Sequence, residues 1–344
     1  MKFINFNNRV DTIFIMLGFA CNFNCNYCLQ HKFKISTLQT SYNKDIITFI
    51  KHLSNKNDYI NVTFIGGEPL LYINVIRNII EDLKDTKNIS YSITTNGSLI
   101  NDDTLPLINE NNISVRLSWD GGNTKYSRNV DIFETNKDNI FKIKNGFFIG
   151  AVFNGYNSPL SLLNDINNLN KDYYKRYSKN ILFYIDSLYN LNNSSDKVFL
   201  VDYNKYKNDM MDIVYRFKNN DVSYAEEFYI KNLIQKINHY TPKDYMKYSP
   251  CNNGISVLNM DLEGNLYLCH NNTEKKLGTI HSNINDYMLN YTKYNNILPK
   301  YFINCKSCSI RYCCAGGCML LSKEELETFY CVQKKSILEP LIDF

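Results

Sequence analysis

Ile13-Phe-Ile-Met-Leu17-Gly-Phe-Ala-Cys21-Asn-Phe-Asn-Cys25-Asn-Tyr-Cys28 joins a short β-branched run to three closely spaced cysteines. The run reads as a strand, with the thiols just past its C-terminal end. Five similar runs follow, at residues 60–65, 89–94, 113–119, 147–153 and 181–185. Apolar residues between them recur at helical spacing. Ile46, Ile47, Ile50 and Leu53 share a face, as do Ile73, Ile76, Ile80 and Leu83, and then Leu162, Leu163, Ile166 and Leu169. Strands alternating with helices predict parallel βαβ units, and six units predict an α/β fold, a partial (β/α)6 TIM-type barrel. Chemistry in such barrels collects at the C-terminal ends of the strands. The cysteines follow strand one, Gly66-Gly67-Glu68-Pro69 follows strand two, Thr95-Asn96-Gly97 strand three, and Ser118-Trp-Asp-Gly-Gly122 closes strand four.

The chain has 344 residues, 44% of them hydrophobic, enough for one large domain and a smaller one. Thirty-eight basic residues against thirty-four acidic ones leave a net charge of +4, no footprint for nucleic acid or an anionic membrane. The apolar run at 13–20 is too short to cross a bilayer, and no secretory signal is visible. A cytoplasmic protein with reduced thiols is therefore expected, and its eleven cysteines point to metal rather than disulfides. Past residue 187 the pattern loosens into two helical stretches, around Met210, Ile213, Val214 and Phe217 and around Phe228, Leu233, Ile234 and Ile237. Eight cysteines then crowd between Cys251 and Cys331. The expected division is 1–240 for the barrel with its trailing helices and 241–344 for a cysteine-rich domain.

Three thiolates spaced C-x3-C-x2-C can hold three irons of a cubane and leave the fourth iron open to another molecule. Glycines at 66 and 67 permit close backbone approach, and Glu68 offers negative charge to an ammonium. Downstream, Cys305-x2-Cys308-x5-Cys314-x3-Cys318 is followed after twelve residues by Cys331. Residues 255–260 and 266–269 read as a hairpin with Gly264 in its turn, between Cys251 and Cys269. Structural zinc is the competing reading of both cysteine groups.

The spacing of Cys21, Cys25 and Cys28, with Tyr27 before the last thiol and the Gly66-Gly67-Glu68-Pro69 element, resembles the radical SAM superfamily. The resemblance implies a [4Fe–4S] cluster whose open iron is chelated by S-adenosyl-L-methionine (SAM), which is cleaved to a 5′-deoxyadenosyl radical. It implies SAM contacts from Glu68 and its flanking residues, and from Thr95, Asn96, Ser118 and Arg128. The downstream cysteines resemble the SPASM element with two auxiliary [4Fe–4S] clusters, three clusters in all. By that resemblance Cys305, Cys308, Cys314 and Cys331 ligate the distal cluster, and Cys251, Cys269 and Cys318 the nearer one. The fourth ligand of the nearer cluster stays open among Cys313, His270, a substrate group or none.

SPASM-type relatives modify peptides and proteins, so a ribosomally made precursor peptide is the expected substrate, leaving with a cross-link or an inverted centre. The alternative is an anaerobic sulfatase-maturing enzyme forming formylglycine. There an Asp follows the second SPASM cysteine, whereas His270 stands here and is the candidate catalytic base. An external one-electron reductant is implied. Twenty residues precede Cys21, so recognition is expected at the barrel mouth, in segment 190–245, or by a separate leader-binding protein. A cluster-bearing carrier without catalysis needs neither an open iron nor the Gly-Gly-Glu-Pro element, and a nucleic-acid modifier is disfavoured by the charge.

Overall fold

A computed structural model describes residues 3–6, 8–33, 37–191, 194–239, 251, 253–295, 305, 307–314 and 317–342, with no side-chain description at 239, 295, 312 and 313. Six strands run parallel: β1 Thr12–Met16, β2 Ile60–Ile65, β3 Ile89–Thr95, β4 Ser114–Ser118, β5 Phe147–Val152 and β6 Leu182–Asp186. They form the partial (β/α)6 barrel that the alternation predicts. Along each strand the pleat sends alternate residues to opposite faces. Ile13, Ile15, Val62, Phe64, Val115 and Leu117 are almost fully buried and join one core cluster. That cluster includes Ile46, Ile50 and Leu53 of α1 (Asp45–Ser54) and Val75, Ile76 and Ile79 of α2 (Ile73–Leu83). The opposite face carries Thr63, Ser92, Arg116 and Ser118 beside Phe14, Phe148 and Leu182, so the barrel interior mixes polar and apolar side chains.

Local chemistry sets the element ends. α3 (Leu105–Glu110) has Pro106 in its first turn, where a missing N–H costs nothing. α4 is the single short turn Thr124–Arg128. Ser158 and Ser161 close a capping box on α5 (Pro159–Tyr177), which Pro159 enters. Asp202 caps α6 (Tyr203–Lys218) by accepting from the Lys205 N–H. α7 spans Tyr224–His239.

The cysteine-rich half does not start a new sheet. β7 (Val257–Asp261) pairs in parallel with β1, and β8 (Asn265–Cys269) turns back on it with Gly264 at φ +82°. The hairpin is the predicted one. β9 (Asn272–Thr279), which the sequence reading lacks, adds an antiparallel edge, giving one nine-stranded sheet in the order β6-β5-β4-β3-β2-β1-β7-β8-β9. β1 is thus an interior strand, held on both sides. The expected boundary near residue 240 falls in 240–250, outside the described residues. α8 (Ile284–Asn295) and α9 (Cys331–Leu338) follow. α9 is tied to the end of β6 by buried Gln333, whose side-chain oxygen accepts the Leu188 N–H at 3.1 Å.

Replacing Ile13 with Ala removes a wholly buried side chain from that strand. A loss of about 2–5 kcal/mol is expected in anaerobic urea denaturation, against under about 0.5 kcal/mol for Leu200→Ala on the surface.

Candidate functional site

The loop carrying Cys21, Cys25 and Cys28 is fastened on three sides. On one, the β2 loop continues the β1 ladder past the strand ends, with Gly67 N–H donating to Gly18 C=O at 2.9 Å and Glu68 N–H to Ala20 C=O at 2.8 Å. A Cβ at Gly66 would lie 2.3 Å from the Gly18 oxygen, and one at Gly67 2.2 Å from the Ala20 oxygen. The glycines are needed for this approach of backbone to backbone. On the second side, Asn22 meets the turn after β3, donating to Ser98 Oγ at 2.8 Å and accepting from the Asn96 amide at 2.9 Å. On the third, Asn26 N–H donates to Ser127 C=O at 2.9 Å and its side chain to Tyr126 C=O at 3.1 Å, both in α4.

A cavity of about 270 Å³ opens at the C-terminal ends of the strands, close to the lower end of the range for small-molecule sites, about 300 Å³. Cys21, Cys25 and Cys28 line it, and so do Tyr27, Gly66, Gly67, Thr95, Asn96, Ser118 and Arg128. These expected contacts meet in one place. Glu68 and Pro69 do not line it. Glu68 is fully buried, and its carboxylate accepts from Leu70 N–H (3.0 Å), Thr95 Oγ (2.7 Å) and Asn96 N–H (2.8 Å). Burial pushes its carboxyl up, and those three donors pull it back. Through these bonds Glu68 positions Thr95 and Asn96, which do face the cavity. Pro69 begins a short 3₁₀ turn behind it.

Asp120 is the residue the sequence reading passed over, although it stands inside the quoted Ser118-Trp-Asp-Gly-Gly122 element. It is 1% exposed and accepts five hydrogen bonds. Tyr27 Oη donates at 2.6 Å, Ser127 Oγ at 2.8 Å, Arg128 Nε at 3.1 Å and Nη2 at 3.2 Å, and the Val152 N–H at 3.0 Å. Burial disfavours the Arg128 guanidinium, but the Asp120 charge outweighs that and keeps it protonated. Arg128 then lies over the Tyr27 ring, 5.3 Å from its centre, and beside Cys25. Burial raises the Cys25 thiol, and Arg128 opposes the rise.

The other cysteines fall into two groups. Cys305, Cys308, Cys314 and Cys331 line an apolar cavity of about 30 Å³ with Ile310, Leu326 and Tyr330. Cys251, Cys269 and Cys318 interact electrostatically with one another, and burial pushes Cys269 up to about 12 and Cys318 to about 11. The Cys313 side chain is outside the described residues. Among the described residues no three His, Cys, Asp or Glu side chains converge on a point suited to one metal ion. Four thiols around an apolar cavity fit the ligand demand of a cubane. Lys275, whose ammonium donates to Met319 C=O at 3.0 Å, faces Cys269 and Cys318. Tyr189 lines the 270 Å³ cavity and feels Cys318, Cys251 and Cys269.

His270 is placed otherwise than expected. Its ring packs on Phe14 of β1 at 4.5 Å, and its Nδ1 lies 3.1 Å from Asn259 Oδ1. Burial, then Arg116, lowers its pKa to about 4, so it is neutral at pH 7. It does not line the 270 Å³ cavity. The Phe14 and Asn259 contacts fix its ring just past the end of β8.

Asp120→Asn leaves the shape and removes the charge that balances buried Arg128. Breaking such a pair is expected to cost about 3–5 kcal/mol in urea denaturation. The variant is also expected to weaken SAM binding at least about tenfold in equilibrium dialysis, because Arg128 and Tyr27 lose their anchor.

Residues 15–154 match the family model described as the radical SAM superfamily. The chain is 26% identical to the radical SAM cyclopropyl synthase TigE of Paramaledivibacter caminithermalis, over 91% of this chain and 70% of that protein. It is 27% identical to a cysteine-type anaerobic sulfatase-maturating enzyme of Clostridium novyi, over 87% and 84%. Its fold is like the solved structure of native anSMEcpe with bound AdoMet and Cp18Cys peptide, with a TM-score of 0.70 at 21% identity over 96% of each chain. It is also like SuiB of Streptococcus suis bound to precursor peptide SuiA, with a TM-score of 0.63 at 16% identity over 91% and 72%. The cysteine-rich end is consistent with the SPASM region of such maturases. With the three cysteines of the signature lining a cavity of cofactor size, the chain carries a radical SAM domain and is a radical SAM enzyme.

Proposed function

We propose that the protein is a peptide maturase that abstracts hydrogen from a ribosomally made precursor peptide, leaving a cross-link or an epimer. The observation carrying this reading is the meeting of the Cys21, Cys25 and Cys28 cavity with a second group of cysteines across Tyr189. Two relatives fit it by name, TigE as a cyclopropyl synthase and SuiB in complex with a precursor peptide. The cavity residues suit SAM, with Gly66 and Gly67 presenting backbone and Thr95, Asn96, Ser118 and Arg128 presenting polar side chains. When bound, the cluster and SAM together supply a 5′-deoxyadenosyl radical. The chain's own part is to hold Arg128 charged, to position Thr95 and Asn96 through Glu68, and to exclude water with Phe19, Phe23 and Leu188.

Auxiliary clusters at Cys251, Cys269 and Cys318 and at Cys305, Cys308, Cys314 and Cys331 complete the proposal, together with an external reductant and, for leader recognition, a separate protein. A second reading, formylglycine formation on a sulfatase, is favoured by the sulfatase-maturating relative. The position that would carry the base is His270, which is packed away from the cavities.

Anaerobic reconstitution is expected to give about 12 irons per chain, falling to about 8 when Cys21, Cys25 and Cys28 are all replaced with Ala. Stoichiometric zinc with little iron would refute the cluster assignment. Reduced enzyme with SAM is expected to release 5′-deoxyadenosine and to change the mass or chirality of a peptide encoded beside the gene, read by tandem mass spectrometry and chiral amino-acid analysis. Formylglycine on a sulfatase peptide, with the adjacent peptide unchanged, selects the second reading.

A further inference from the structure

Beneath the SAM-facing cavity lies a larger one of about 520 Å³. Its walls are the inner faces of β4 and β6, with α7 and α9 closing it from outside. The two cavities share Asp186 and Ser187 at the end of β6, so they adjoin there. Its lining is divided. Phe148 and Leu182 present apolar surface, 36% and 39% exposed, although both stand on barrel strands. Arg116 of β4 stands beside Phe148 of β5 in register, and with Lys236 of α7 and Lys334 of α9 it makes three cations against a single carboxylate, Asp186.

None of these charges is neutralised by a direct partner. Among the described residues Arg116 and Lys236 make no hydrogen bond or ion pair, and the Lys334 ammonium lies 5.5 Å over the Tyr330 ring. Asp186 is within electrostatic reach of all three cations but bridges none of them. A third cavity, about 770 Å³ and reaching from Cys25 to Met319, differs in kind. There Lys32 is paired with Glu274 at 2.9 Å, and with Lys275, Asp196 and Glu325 the lining carries three carboxylates against two cations. An unpaired guanidinium half-buried among low-dielectric walls focuses field onto whatever enters, and its planar fork matches a carboxylate.

We propose that the 520 Å³ cavity is a substrate subsite for an acidic side chain, Asp or Glu, of the peptide being modified. Arg116 takes the carboxylate, Lys236 and Lys334 flank it, and a neighbouring apolar residue of the peptide rests on Phe148 and Leu182. The peptide then turns past Asp186 and Ser187 into the cavity of Cys21, Cys25 and Cys28. This rests on the reading of the protein as a peptide maturase.

The test is fluorescence anisotropy on reconstituted, SAM-loaded protein with two fluorescein-labelled Gly/Ala octapeptides, one with a central Leu-Glu and one with a central Leu-Gln. The Glu peptide is expected to bind about tenfold more tightly, with the preference shrinking as NaCl is raised. Arg116→Gln is expected to bring the two affinities within about twofold. Lys236→Gln, at an exposed helix position where folding is not at stake, is expected to reduce the preference about threefold. Equal binding of the two peptides by the unaltered protein, or a preference that survives both substitutions, overturns the subsite and leaves the maturase reading standing. Binding of neither peptide by protein that still cleaves SAM counts against both.

Discussion

The buried carboxylate of Asp120 is the point on which the site depends. It gathers donors from three separate stretches of chain: Tyr27 on the cysteine loop, Ser127 and Arg128 on α4, and the Val152 backbone of β5. A carboxylate excluded from water is costly unless its lone pairs are filled. Here five hydrogen bonds fill them, two of them from the Arg128 guanidinium. The geometry is therefore mutual. Asp120 holds Arg128 over Tyr27 and against Cys25, and Arg128 makes a charged Asp120 tolerable. Glu68 plays the parallel part on the other wall, locking the end of β3 to the β2 loop. Two buried acids, neither lining the cavity, set the positions of residues that do.

Each group of cysteines has a cation within electrostatic reach. Arg128 serves Cys25, Lys275 serves Cys269 and Cys318, and Lys335 serves Cys305 and Cys331. Burial raises these thiols, because a thiolate in an apolar wall is poorly solvated. Metal ligation requires thiolates, so assembly releases protons, and the cations lower the cost of that release. A chain of net charge +4 thus keeps a few of its many cations where thiolate charge has to gather.

The six parallel strands and the major helices were legible because their apolar residues repeat with periods that the barrel core enforces. Ile13, Val62 and Val115 are buried for the reason their pattern suggests. β9 was not legible. Asn-Thr-Glu-Lys-Lys-Leu-Gly-Thr has neither a β-branched run nor alternation, and it becomes a strand through pairing with β8 across two register shifts. Nor does local pattern announce that β7 joins β1, a contact spanning most of the chain. In the site, Cys21, Cys25, Cys28, Gly66, Gly67, Thr95, Asn96, Ser118 and Arg128, singled out from motif and strand-end position, line one cavity. Asp120 was passed over, and the partners that bury Glu68 and His270 were not read from the sequence. A carboxylate's partners are decided by convergence in three dimensions, which spacing along the chain does not record.

The same convergence explains how three cavities and two further cysteine groups are kept apart yet adjacent. Tyr189 sits where the SAM-facing cavity meets the 770 Å³ cavity, and its ring stacks on Tyr330 at 5.8 Å and 15°. Tyr330 in turn walls the cavity of Cys305, Cys308, Cys314 and Cys331. One pair of stacked rings therefore joins the wall of those two cavities to the wall of the Cys305, Cys308, Cys314 and Cys331 cavity. Aromatic faces suit that place, being large, rigid and apolar over most of their surface. Their packing with Leu321 and Leu326 forms a small second core, distinct from the barrel's. That second core brings the C-terminal cysteines against the barrel mouth: the segment from β6 to Leu191 supplies one side of it and residues 318–331 the other. The barrel sets where a reaction occurs, and this aromatic seam sets how closely the C-terminal thiols approach it.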